Sequence, residues 1–261
     1  MISIIVGYYK RSNFLDLIFQ SMEVQSDTSF EVIIAEDNDA PETIDFLADS
    51  GKKYSFPIKH VSQPDNGFLK TRILNAAIKI SEGDKLVFID GDCILHKHFV
   101  KEYHQAISPS VFCYGRRAMI SEQFTHKLLQ QNSIKDIGYF SLLFNGGKWM
   151  AAAIYMPWKI NQHKQSRRIL GCNWGVTKEN ILKVNGFDED YQKAGVGEDF
   201  DIDWRLKKIG LRSFSMKNKA IVYHLHHSPN YSESDTAFVE NMMTEKKKTG
   251  LAYCVNGIEK G

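Results

Sequence analysis

Gly83-Asp84-Lys85-Leu86-Val87-Phe88-Ile89-Asp90-Gly91-Asp92 decides the reading of this chain. The glycine and aspartate end a helical pattern. Leu86 to Ile89 then forms a short apolar run of the kind that makes a strand buried on both faces. Two carboxylates, Asp90 and Asp92, fall where that strand leaves its sheet, and Gly91 between them lets the backbone turn closely around a ligand. Acids at the carboxyl end of a strand, in a chain that alternates strands and helices, point to a divalent cation and a phosphate-bearing ligand.

Moving outward, the same alternation fills the first half of the chain. Ile2 to Val6 reads as a strand, and Ser12 caps a helix whose apolar face carries Leu15, Ile18, Phe19 and Met22. Phe30 to Ala35 is a second strand ending in Glu36-Asp37-Asn38-Asp39, after which Pro41 opens a helix from a first-turn position. Ile58 to Val61 is a third strand and Gly67 to Ile80 the helix before the Asp90 strand. Repeated strand–helix–strand units predict a mostly parallel α/β sheet with helices on both faces, and ligands bind beyond the carboxyl ends of such strands. Tyr8, Glu36-Asp37, Asp65-Asn66 and Asp90-Asp92 would therefore share one rim. In the second half, helices are expected at Lys97 to Ile107, Lys178 to Asn185, Glu198 to Ile209 and Ser234 to Thr249. Strands are expected at Val111 to Tyr114 and Ala220 to His226, with an apolar-polar stretch at Ile169 to Trp174.

The bulk properties narrow the function classes. In 261 residues, 43% hydrophobic and 25% charged, there is enough apolar material for one large core, and disorder is excluded. A formal charge of +2, from 33 basic and 31 acidic residues, gives no case for nucleic-acid binding. The four cysteines, Cys93, Cys113, Cys172 and Cys254, show no C-x-x-C spacing, so neither a zinc site nor a disulfide framework is indicated and a reducing cytoplasm is the simplest compartment. Met1 to Val6 lacks the basic start and long apolar core of a signal peptide. Gly138 to Pro157 is rich in Phe, Leu, Trp, Ala and Tyr with Lys148 its only formal charge, but Asn145-Gly146-Gly147 interrupts it. It reads as a buried or lid-forming segment in preference to one resting on a membrane, and it is a poor spanning helix.

Two further clusters carry chemistry. Gly197-Glu198-Asp199-Phe200-Asp201 places acids at a helix start, where the dipole favours them, beside glycines that free the backbone for close approach; a carboxylate there suits a general base. In His224-Leu225-His226-His227, a strand would turn His224 and His226 to one face and His227 to the other. One or two carboxylates, an imidazole and phosphate oxygens would hold Mn2+ or Mg2+.

With these pieces in order, the chain resembles the inverting family-2 glycosyltransferases of the GT-A fold. Ser3 to Val6, Glu31 to Asp37, Asp65-Asn66-Gly67-Phe68, Leu74 to Ile78 and Gly83 to Cys93 look like the nucleotide-binding half, the last holding the D-x-D motif. Gly171-Cys172-Asn173-Trp174-Gly175, Asn185 to Glu189 and Gly197 to Asp201 are similar to the acceptor half of galactosyltransferase-like and chondroitin-polymerase-like domains. The resemblance implies that Asp37, with Glu36 as second choice, contacts the nucleotide base, that Asp90 bonds the ribose, and that Asp92 binds the metal. It implies His224 as the late metal ligand with His226 in reserve, Asp199 as the base that deprotonates the acceptor, and Glu198 as its orienting neighbour. Lys70 or Arg72 would add positive charge beside the phosphates. Where the family often has a tryptophan before Glu-Asp, this chain has Gly195-Val196-Gly197, so Trp174, beside Asn173, is expected to supply the acceptor surface.

The implied activity is metal-dependent, inverting transfer of a hexose or N-acetylhexosamine, from a UDP-linked donor, to a hydroxyl of a glycan or lipid-linked oligosaccharide in polysaccharide biosynthesis. Residues 1–110 would form the nucleotide-sugar half, 111–230 the acceptor half and 231–261 a C-terminal helix and tail. The expected location is cytoplasmic, with peripheral contact at the inner face of the membrane left open. The rivals are a nucleotidyltransferase acting on sugar phosphates, for which Gly7-Tyr8-Tyr9-Lys10 is a poor phosphate loop, and an inactive glycan-binding module of the same fold.

Overall fold

The computed structural model describes residues 1–158, 168–194, 197–228 and 233–261, with side chains from 238 in the last stretch. The first half follows the sequence pattern closely. Strands β1 (Ile2–Tyr8), β2 (Phe30–Glu36), β3 (Ile58–Ser62) and β4 (Lys85–Asp90) alternate with helices α1 (Ser12–Glu23), α2 (Pro41–Lys53) and α3 (Lys70–Ile80). Strands β3, β2, β1 and β4 lie side by side, all parallel. Because β1 is flanked by β2 on one side and β4 on the other, strand order reverses there, and the crevice for a ligand opens at that reversal. Register sets its rim: Tyr8 stands opposite Glu36, and Gly7 opposite Asp90.

The two faces of β1 bury different cores, as alternation requires. Ile2, Ile4 and Val6 pack with Leu15, Ile18, Phe19 and Met22 of α1. Ile5, with Ile33, Leu86 and Phe88, packs with Ile73, Leu74, Ala77 and Ile78 of α3.

After β4, the short strand β5 (Cys93–Leu95) leaves the main sheet and α4 (Phe99–Ala106) follows it. The second half then completes both sheets. Strands β6 (Val111–Tyr114), β8 (Trp174–Thr177) and β9 (Arg212–Ser215) extend the main sheet to the order β3-β2-β1-β4-β8-β6-β9, with β8 antiparallel to β4. Strands β7 (Arg117–Met119) and β10 (Val222–His224) join β5 in a three-stranded sheet with β10 at its centre. Helices α5 (Glu122–Gln131), α6 (Tyr139–Phe144), α7 (Lys178–Lys183), α8 (Gly197–Lys208) and α9 (Glu233–Thr249) are the remaining α-helices among the described residues.

Three expectations change. The apolar stretch at 169–174 enters its strand only at Trp174, and the late strand ends at His224, two residues before the predicted end. Residues 138–157 form α6 and a 3-10 turn at Met150–Ala152, with Leu142, Ala152 and Ala153 buried and Phe140, Leu143, Phe144 and Trp149 exposed. Among the described residues, no helix is long and apolar enough to cross a membrane.

Candidate active site

At the carboxyl ends of β1, β2 and β4 lies a cavity of about 480 Å3 whose walls include Tyr8, Arg11, Asp37, Lys70, Asp90 and Asp92. The Asp90-Gly91-Asp92 turn is pinned by the Gly91 N–H, which donates to the Gly7 carbonyl at 2.8 Å. A Cβ at position 91 would stand 3.1 Å from the Tyr8 ring and 3.2 Å from that carbonyl, so a side chain there would crowd both by a few tenths of an ångström.

The turn delivers Asp92 to the small sheet, where His224 is the antiparallel partner of Cys93 and the Leu225 N–H donates to the Asp92 carbonyl at 2.9 Å. Register thus carries the late histidine to the early carboxylate. His224 Nε2 lies 3.3 Å from Asp92 Oδ1, and His227 Nε2 lies 2.8 Å from Asp92 Oδ2. Each ring holds its other nitrogen, Nδ1, 2.8 Å from a backbone carbonyl, of Leu225 and Ser228 respectively. That bond fixes the Nδ1–H tautomer and turns both Nε2 atoms to the carboxylate. Burial favours the neutral acid at Asp92, but the two imidazoles outweigh it and hold the carboxyl well below its ordinary range. Asp92, His224 and His227 offer donor atoms all within 4.8 Å of one another, a set that fits a divalent cation. Two imidazoles suit Mn2+ better than the oxygen-seeking Mg2+.

His226 is not among those donors. Its backbone N–H donates to Thr125 Oγ1 at 2.9 Å, and because the strand has already ended, the alternation that paired His226 with His224 no longer applies and His227 turns back to Asp92.

The second acidic cluster meets the first through Lys70. Its Nζ lies 2.8 Å from Asp90 Oδ1 and 3.9 Å from Glu198 Oε1. Burial pushes Glu198 up to about 8, with the Asp199 charge adding and Lys70 opposing. Burial likewise pushes Asp199 up to about 6, against the pull of Lys70 and of the Gly171 N–H, which donates to its Oδ2 at 2.6 Å. The Glu198 Oε2 atom is buried with no hydrogen-bond partner. Such an atom is costly unless a ligand completes it. Gly195 and Val196 lie outside the described residues.

Several candidates separate from the site. Asp37 lines the cavity and accepts from Gln63 Nε2 at 2.7 Å and the Leu69 N–H at 2.8 Å, whereas Glu36 is wholly buried between Thr43 and His60. Arg72 is exposed on α3 and off the cavity wall, where Lys70 stands instead. Trp174 cannot offer a ring to an acceptor, because it is 1% exposed and stacked on Phe88 at 4.4 Å. Asn173 is fully buried, accepting from the Tyr103 hydroxyl and donating to the carbonyls of Arg116 and Ala220. Both belong to the core because β8 sits inside the main sheet. Gly171 opens the motif quoted from the sequence, but no local signal links it to a carboxylate in α8.

Comparison with known proteins agrees with this architecture. The model of the family described as glycosyl transferase family 2 matches residues 3–164, and that of the N-terminal domain of galactosyltransferase matches residues 156–228. An uncharacterized glycosyltransferase of Haemophilus influenzae is 30% identical over 48% of this chain and 42% of its own length. The hyaluronan synthase of Pasteurella multocida is 20% identical over 97% of this chain and 27% of its own length. The chain thus spans less than half the length of either relative. In three dimensions it is similar to GalNAc-T7, crystallised with UDP, GalNAc and Mn2+, at a TM-score of 0.64 and 13% identity over 94% of this chain and 47% of the other. That likeness is one of fold, and the GT-A architecture expected from the sequence is the one found.

Proposed function

The chain belongs to glycosyl transferase family 2, and we propose that it moves a hexose or N-acetylhexosamine from a UDP-sugar to a hydroxyl of a glycan or lipid-linked oligosaccharide, with inversion at the anomeric carbon. One observation carries this reading: a cation-type donor set, Asp92 with His224 and His227, borders a cavity whose Asp90 is joined through Lys70 to the buried pair Glu198 and Asp199. A binding module has no need of a buried base beside a cation site.

In this reading Asp37 and Asp90 hold the nucleoside, and Asp92, His224 and His227 hold Mn2+. When bound, the cation supplies positive charge to the diphosphate oxygen that departs. Asp199, ionised, takes the proton of the acceptor hydroxyl, whose oxygen forms the new bond to C1 as the C1–O bond to the diphosphate breaks on the opposite face. A single displacement of that kind inverts the centre, as it does in inverting glycosidases. Glu198, raised to about 8 and protonated at neutral pH, can donate to a sugar oxygen from the side on which Oε2 lacks a partner. The Gly171 N–H aims the Asp199 carboxylate.

A panel of nucleotide sugars, with and without Mn2+, tests the reading through released UDP. Slow metal-stimulated release is expected, and Asp199→Asn should abolish transfer while UDP still binds. Pyrophosphate as product would instead identify nucleotidyl transfer, and no turnover with any donor would leave a binding module.

A further inference from the structure

On the six-residue helix α6, Leu142 is buried in the small-sheet core, while Phe140, Leu143 and Phe144, at i, i+3 and i+4, are 70%, 50% and 82% exposed. Three large apolar side chains on one helix face are left largely exposed, Phe140 meeting only the edge of its neighbour Tyr139 at 5.4 Å, although spacing of this kind normally marks the face a helix buries. Two tryptophans of the same segment, Trp149 (whose ring also meets the Arg117 guanidinium) and Trp158, are exposed as well, at 60% and 78%. Beside it, Tyr139 of α6 leads into a second cavity, of about 770 Å3, walled by Ile94, Ile134, Ile137, Ile154 and Tyr155. That cavity shares no lining residue with the one at Asp92. None of residues 138–157 lines the Asp92 cavity, so the expected lid role finds no support there.

Charge at the second cavity has one sign. Lys97 and Lys135 line it, both are exposed, and neither has a carboxylate partner among the described residues. The nearby acids are taken: Asp136 pairs with Lys127, and Glu102 accepts from the Tyr155 hydroxyl at 2.7 Å. An apolar ridge with tryptophans, continuing into an apolar cavity edged by unpaired ammonium groups, is complementary to acyl chains beneath anionic headgroups.

We propose that the 134–158 face docks on an anionic lipid bilayer, with Phe140, Leu143 and Phe144 entering the acyl boundary, the Ile94–Ile154 cavity accepting an acyl chain, and Lys97 and Lys135 meeting lipid phosphates. It takes up the membrane-resting alternative that the sequence reading placed behind a buried or lid-forming segment. It stands independently of the proposed transfer, because the surface needs neither Asp92 nor Asp199.

Sedimentation of the full chain with vesicles of phosphatidylcholine, alone or mixed with phosphatidylglycerol, tests the proposal. The chain should pellet with the mixed vesicles and blue-shift its tryptophan emission. Replacing Phe140, Leu143 and Phe144 together by Ser should weaken binding about tenfold or more. Lys97→Glu with Lys135→Glu should remove about fivefold per lysine, on the anionic vesicles only. All of these positions are exposed, so thermal midpoints should stay near the parent value, and Phe144→Ser alone serves if the triple variant unfolds. Absence of binding to anionic vesicles, or binding indifferent to the serine variants, would overturn the proposal. So would a dimer in solution that Phe144→Ser disperses, because that result assigns the ridge to a second copy of the chain.

Discussion

Gly171→Ala separates the proposed base from everything that binds the nucleotide. A Cβ at residue 171 would lie 2.8 Å from Asp199 Oδ1 and 3.0 Å from Oδ2, where ordinary contact begins near 3.4 Å. The obstacle is the tip of a side chain, so the fold can yield, but the carboxylate must retreat by about 0.6 Å, and a displacement near 1 Å costs about a hundredfold in rate. A loss in kcat of between about tenfold and a hundredfold is expected. The retreat also weakens the 2.6 Å bond from the Gly171 N–H, which favours the ionised carboxylate. Bonds to charged groups contribute about 1.5–3 kcal/mol, and losing half of one raises a pKa by about one unit. Since the base works ionised, activity rises with pH through its pKa, and the acid limb of kcat/KM should move from near pH 6 to near pH 7, roughly one unit. UDP release from the preferred nucleotide sugar, followed against pH, reads both effects, with calorimetry of UDP and Mn2+ as the control. A variant that keeps kcat within twofold and the parent acid limb would show that Asp199 is not the base the Gly171 loop positions.

The remaining expectations concern the cation, the electrostatics and the fold. His227→Ala should weaken UDP affinity in the presence of Mn2+ by about tenfold or more, while His226→Ala should leave it unchanged; equal effects in titration calorimetry would return the ligand role to both. Lys70→Met removes the cation that draws Asp199 and Glu198 down, so the acid limb should shift to higher pH, and an unmoved limb would detach Lys70 from the base. Asp201 bonds Arg205 Nε at 2.6 Å in the interior, where Arg205 also donates to the carbonyls of Val184 and Gly186. Asp201→Ala strands a buried guanidinium and should cost about 3–5 kcal/mol, or about 10 °C of thermal midpoint, as differential scanning fluorimetry would register.

Local order made the nucleotide half legible in the sequence. Each of its strands is a continuous apolar run and each helix keeps its apolar stripe, so the sequence places β1 to β4, the starts of α1 and α2 and both ends of α3 within a few residues of their bounds. What fails to show in a sequence is the meeting of distant segments. Trp174 looks like an available ring until β8 is seen inserted between β4 and β6, which seals both of its faces. Strand alternation carried past the true end at His224 turns His227 away from Asp92, and the Leu225 N–H bond to the Asp92 carbonyl shows where pairing stops. Lys70 and Arg72 are equivalent as sequence, but two residues on a helix turn them about 200° apart, and only one faces the cavity.

The small sheet has a further implication for how the protein comes into being on the ribosome. Its middle strand, Val222–His224, is the last of the described strands to be synthesised, while the edges at Cys93–Leu95 and Arg117–Met119 emerge more than a hundred residues earlier. Until the middle strand arrives, those edges have no ladder between them and Asp92 has no imidazole. A nascent chain can therefore fold its nucleotide crevice early, yet it acquires its cation donors only once residues 222–227 have been made.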